Sequence, residues 1–66
     1  MKTLHVYKEN GEFVIERVNE FNHATKRLFV TEEGLKEGLD CYRPVIAGYK
    51  VAVDVELIAL VRDRLD

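Results

Sequence analysis

Asn10-Gly11, set between two runs in which apolar and polar residues alternate, constrains this chain more than any other feature. A two-residue type I′ turn needs positive φ at both central positions, which asparagine tolerates and glycine adopts freely. Placing the turn there fixes a hairpin register. Val6 faces Ile15, Lys8 faces Phe13, Leu4 faces Arg17 and Glu9 faces Glu12. One face then collects Leu4, Val6, Phe13 and Ile15, with Lys8 and Arg17 at its rim. The other collects Thr3, His5, Tyr7, Glu12, Val14, Glu16 and Val18, and sets His5 opposite Glu16. A slip of one residue would exchange the two faces, so the pattern itself defends the register.

The rest of the chain reads as alternating short elements. Residues 19–29 admit two descriptions. Lys26 to Thr31 suits a third strand after a polar connection, because Phe29, Val30 and Thr31 favour extended backbone. Val18, Phe21, Thr25, Leu28 and Phe29 also fall at helical spacing; the strand is the favoured reading. Thr31 is a natural N-cap for a short helix in which Glu32 and Glu33 suit the first turn and Leu35, Leu39 and Tyr42 share a side. Gly34 and Gly38, four apart, leave one helix face open to a close neighbour. Arg43-Pro44 ends the helix, since proline disfavours helical backbone in the residue before it.

Beyond Gly48, Tyr49, Val51 and Val53 alternate with Lys50 and Ala52 as in a strand. Asp54 can cap a last helix with Leu57, Ile58, Val61 and Leu65 as its apolar stripe and Arg62 and Arg64 near its end. The alternative for 54–65 is a strand continued through Val55 and Leu57. The expected fold is a small single α+β domain spanning 1–66, ordered β-β-β-α-β-α. Its N-terminal β-hairpin extends to a three- or four-stranded, mostly antiparallel sheet with one or two short helices.

Sixty-six residues make one domain. A chain this short buries only about 60% of the surface its unfolded form exposes, so it needs help from disulfides, a metal or association. Cys41 is the only cysteine, and Cys41, His5 and His23 have no metal-ligand spacing, so neither an internal bridge nor a metal is expected. Association remains, with a homodimer (homo-oligomer) or a permanent partner as the expectation. The N-terminus has no apolar leader, the longest apolar run is too short for a membrane span, and the cysteine is unpaired; a cytoplasmic protein with no membrane contact is expected.

The residues offer little for catalysis. There is no serine, Cys41 has no sign of activation, and the carboxylate pairs Glu32–Glu33 and Glu37–Asp40 fit solvated helix faces. No glycine-rich phosphate loop or dinucleotide fingerprint occurs. No enzymatic activity and no cofactor is expected. With 10 basic and 12 acidic residues the net charge is -2, which runs against a dedicated nucleic-acid binder.

Two partial likenesses bear on function. The run Arg27-Leu28-Phe29-Val30-Thr31-Glu32-Glu33-Gly34-Leu35, followed by Gly48 and an apolar strand, resembles the β-α-β core of swapped-hairpin transcription regulators, which are dimeric DNA-binding proteins. The run Tyr42-Arg43-Pro44-Val45-Ile46-Ala47-Gly48-Tyr49-Lys50-Val51 is similar in layout to short bacteriophage proteins that bind and inhibit host enzymes. The leading expectation is a non-catalytic protein-binding module, a regulator or inhibitor of a larger protein. It would use the second hairpin face (His5, Tyr7, Val14, Val18) and the edge of whichever strand lacks a neighbour, with Tyr7 as the main anchor. The alternative is a small dimeric DNA-binding regulator that contacts phosphate through Lys26, Arg27, Lys36 and Arg43.

Overall fold

The computed structural model describes residues 2–42, 44 and 47–65, and these form an α+β domain. Strands β1 (Thr3–Glu9) and β2 (Glu12–Val18) make the hairpin, and β3 (Ala24–Phe29) returns beside β2. Helix α1 (Glu32–Tyr42) then leads to β4 (Lys50–Val53), and α2 (Val55–Leu65) closes the order β-β-β-α-β-α. The sheet runs β3-β2-β1-β4, antiparallel except for the β1–β4 pair. Strands β3 and β4 point the same way at opposite edges. A parallel return requires a crossover, and α1 is part of it.

The hairpin register is the expected one throughout, from Glu9 opposite Glu12 to Thr3 opposite Val18. Asn10 and Gly11 have φ of 52° and 80°, the left-handed values a type I′ turn demands. Leu4, Val6, Phe13 and Ile15 go into the core, where Leu35, Leu39, Tyr42, Leu57 and Val61 meet them from the two helices. Fully burying one such aliphatic side chain stabilises the fold by about 1.5–3 kcal/mol. Both helices therefore sit on one side of the sheet.

The ambiguous stretch is a loop and a strand. Asn19 Oδ1 accepts hydrogen bonds from the backbone N–H of Phe21 (2.8 Å) and His23 (3.0 Å), and Asn22 takes a φ of 63°. This loop diverts the backbone from the helical alternative. The strand begins and ends two residues earlier than expected, because Thr31 is committed to α1. Thr31 Oγ1 accepts from Gly34 N–H at 3.0 Å, as an N-cap should.

Helix α1 buries Leu35, Leu39 and Tyr42 as the spacing implied. Gly38 is buried against the Phe29 ring so closely that a methyl group on it would overlap the ring edge. In α2, Leu57 and Val61 are buried, but Ile58 is 42% exposed, which corrects the expected stripe. At 100° per residue, a helix that points Leu57 and Val61 inward brings Leu60 toward the core and turns Ile58 aside. Leu57 N–H bonds to Asp54 O at 2.9 Å, so 54–65 is a helix and not a continued strand. The expectations for Arg43 and for the side chains of Arg64 and Leu65 fall outside what is described. Among the described residues no helix is long and apolar enough to cross a membrane.

Candidate functional site

With both helices on one side, no described helix covers the opposite face of the sheet, the bare face below. Strand alternation puts His5 and Tyr7 from β1, Val14, Glu16 and Val18 from β2, and Lys26 and Leu28 from β3 on this face. All four residues anticipated for protein binding therefore share it. They differ in accessibility. Val14 is 1% exposed, because Tyr7 and Leu28 stand directly opposite it on either side. It supports the face and does not present itself to a partner. His5, Tyr7 and Val18 are half-buried.

A polar chain crosses the face. Asp54 Oδ1 lies 3.2 Å from His5 Nε2, with the two side chains 45% and 44% exposed. The His5 ring lies 4.5 Å from the Tyr7 ring, centroid to centroid, at an interplanar angle of 38°. Lys26 Nζ lies 6.0 Å from the Tyr7 centroid. The neighbouring Tyr7 side chain, then the charges of Glu9 and Glu16, hold the Lys26 ammonium above its usual pKa of 10.5. Glu16 does stand opposite His5 in the register, but the hydrogen bond of His5 goes to Asp54. The parallel β1–β4 pairing makes this possible: it puts Val6 beside Val53, and so brings the next residue of the chain, Asp54, alongside Tyr7.

The four basic residues considered for nucleic acid do not gather into one patch. Lys26 and Arg27 alternate along β3, so Lys26 leans over Tyr7 on the bare face while Arg27 packs over Phe29, 5.5 Å from its centroid, on the helix side. Lys36 is on α1, also on the helix side, and Arg43 lies outside the described residues. The catalytic candidates are likewise apart. Cys41 is exposed on α1, on the other side of the sheet from His5, and His23 is in the 19–23 loop. Among the described residues no three His, Cys, Asp or Glu side chains come together in a metal-holding group.

Two features were not singled out from the sequence. Asp54 is legible there as a helix cap, but its contact with His5 depends on strand pairing across 49 positions. Leu28 and Phe21 are 62% and 73% exposed, and nothing in a run of mixed residues marks them as outward-facing before the orientation of β3 is known. No family model, curated protein or solved structure matches this chain.

Proposed function

We propose that this chain is a small non-catalytic protein-binding module of the cytoplasm, a regulator or inhibitor of a larger protein. The observation that carries this reading is the bare sheet face. A mostly antiparallel sheet commonly leaves one face to water, lined by polar residues, but here the face that no described helix covers holds Tyr7, Val18 and an exposed Leu28. Tyrosine supplies large contact area at small entropic cost, and its hydroxyl keeps a polar partner. Around it the His5–Asp54 pair and the Lys26 ammonium offer charged groups that could discriminate between partners. The dispersal of Lys26, Arg27 and Lys36 over two sides of the sheet gives a phosphate backbone no continuous track, so the DNA-binding alternative has the weaker support.

The test is recovery of a partner from nuclease-treated cell extract with the tagged chain, its Tyr7→Ala form and its Ile58→Ala form. A protein held in stoichiometric amount by the parent and by Ile58→Ala, but lost with Tyr7→Ala, is the expected result. Recovery that depends on intact nucleic acid, or that is indifferent to Tyr7, would overturn the reading.

A further inference from the structure

The β3 edge of the sheet combines three features that no other part of the described molecule brings together. The first is unpaired backbone. Asn19 N–H donates to His23 O at 3.1 Å, so the pairs Arg17–Thr25, Ile15–Arg27 and Phe13–Phe29 turn their backbone groups toward each other. Ala24, Lys26 and Leu28 consequently turn their N–H and C=O groups outward, where the sheet ends. The β4 edge is much shorter, with only Val51 and Val53 turned outward in the same sense, because Lys50 and Asp54 donate to β1.

The second feature is apolar. Leu28, at 62% exposure, lies in β3 and Val30, at 77%, follows its end, while Phe21, at 73%, is in the loop before it. The third is charge: Lys26 and Arg27 sit side by side on this edge, one to each face. Cations on an edge strand usually keep other strands away. The exposed Leu28 and Val30 next to those cations distinguish this edge from one that is merely charged.

We propose that β3 accepts an added strand from a partner protein: an extended segment with adjacent acidic residues opposite Lys26 and Arg27, flanked by apolar ones against Leu28 and Val30. This deepens the protein-binding reading and rests on it. A second copy of β3 fits poorly. Outward-turned residues must face each other across an antiparallel pair, so the two registers that overlap most of the strand set Lys26 against its own copy or Arg27 against its own copy. Like charges directly opposite are destabilising. Any further slip leaves half the strand unpaired. An acidic strand meets neither obstacle, and its backbone satisfies the Ala24, Lys26 and Leu28 groups while its carboxylates meet both cations.

Amide hydrogen exchange of the full chain, read residue by residue by NMR, tests this with a capped peptide containing Val-Thr-Val-Glu-Glu-Thr, whose antiparallel pairing sets the valines against Val30 and Leu28 and the glutamates against Arg27 and Lys26. At a peptide concentration about ten times its Kd, the amides of Ala24, Lys26 and Leu28 should exchange about tenfold more slowly. Those of Thr25, Arg27 and Phe29, already bonded to β2, should change much less. A peptide with lysines in place of the glutamates should have no effect on the parent, and should protect the same amides in the double variant Lys26→Glu, Arg27→Glu. The idea is overturned by equal protection from both peptides, by protection elsewhere, by no protection at millimolar peptide, or by protection that grows with protein concentration alone. Loss of the peptide effect while Tyr7-dependent partner capture persists removes only the strand-addition proposal; the reverse pattern removes the bare-face reading.

Discussion

His5 Nε2 and Asp54 Oδ1 meet at 3.2 Å across the boundary between β1 and the start of α2. The contact ties the N-terminal hairpin to the C-terminal helix on the face that no helix covers. Both groups are nearly half exposed, so solvent screens them and the pair is worth little on its own, about 0.2–1 kcal/mol. A double-mutant cycle of His5→Ala and Asp54→Ala in urea should give a coupling within that range. Asp54→Ala should cost more than His5→Ala, because it also removes the residue that precedes the first turn of α2. Equal losses would show that Asp54 contributes nothing to the helix end.

Gly38 is required by Phe29. Alanine is the better helix former by about 1 kcal/mol, yet here its methyl group would run into the aromatic ring, and overpacking costs about 1–3 kcal/mol. Gly38→Ala is expected to lower stability by a net of about 0–2 kcal/mol in chemical denaturation, the overpacking cost less the gain in helix propensity. Gly34→Ala should lose less, since its nearest neighbour would be the Thr31 hydroxyl at 3.1 Å. Adding Phe29→Leu should recover part of the Gly38→Ala loss.

The Lys26 ammonium is held above its ordinary pKa of 10.5 chiefly by Tyr7. A group whose pKa is raised on folding lends stability that is complete below its unfolded pKa and disappears as pH climbs through the folded value. The contribution linked to the raised Lys26 pKa is therefore complete below 10.5 and fades as pH climbs above it. Tyr7→Phe should move the Lys26 titration, followed by NMR at its side chain, back down toward the ordinary value. An unchanged titration would place the cause with Glu9 and Glu16 instead.

Val14 and Leu28 are neighbours on the bare face with opposite roles. Val14→Ala removes buried methyl groups and should destabilise the domain by about 2 kcal/mol. Leu28→Ala alters an exposed side chain and should stay within about 0.5 kcal/mol of the parent. Partner capture should respond in the other order once stability is accounted for, with Leu28→Ala the more damaging.

Gly11 has φ of +80° and nothing within 4 Å of where a methyl group would go. Substitution is strained by backbone conformation alone, so Gly11→Ala should cost about 1–2 kcal/mol without altering the core. Thermal denaturation together with an unchanged pattern of core chemical shifts would check both halves of this statement.

Most of the fold was legible because its signals are local. The Asn10-Gly11 turn carries the hairpin register, Thr31 carries the start of α1, and the 3.6-residue repeat of Leu35, Leu39 and Tyr42 carries its buried side. Residues 19–29 were ambiguous because both spacings occur there, and the decision came from the Asn19 side chain bonding across its own loop. Ile58 misled because the apolar residues of α2 lie close together in sequence and do not say which of them the sheet accepts. Of the candidate site, the alternation of β1 and β2 placed His5, Tyr7, Val14 and Val18 together, but alternation is silent on how far each is covered.

The sequence by itself determined the hairpin, its register, the start of α1 and which hairpin face is apolar, since each follows from turn and capping chemistry or from a period of two residues. Tertiary structure decided the rest: that β4 lies parallel beside β1, that both helices share one side, and that the β3 edge ends the sheet. Those outcomes depend on how distant segments divide a limited apolar surface between them, and no single stretch of the chain contains that information.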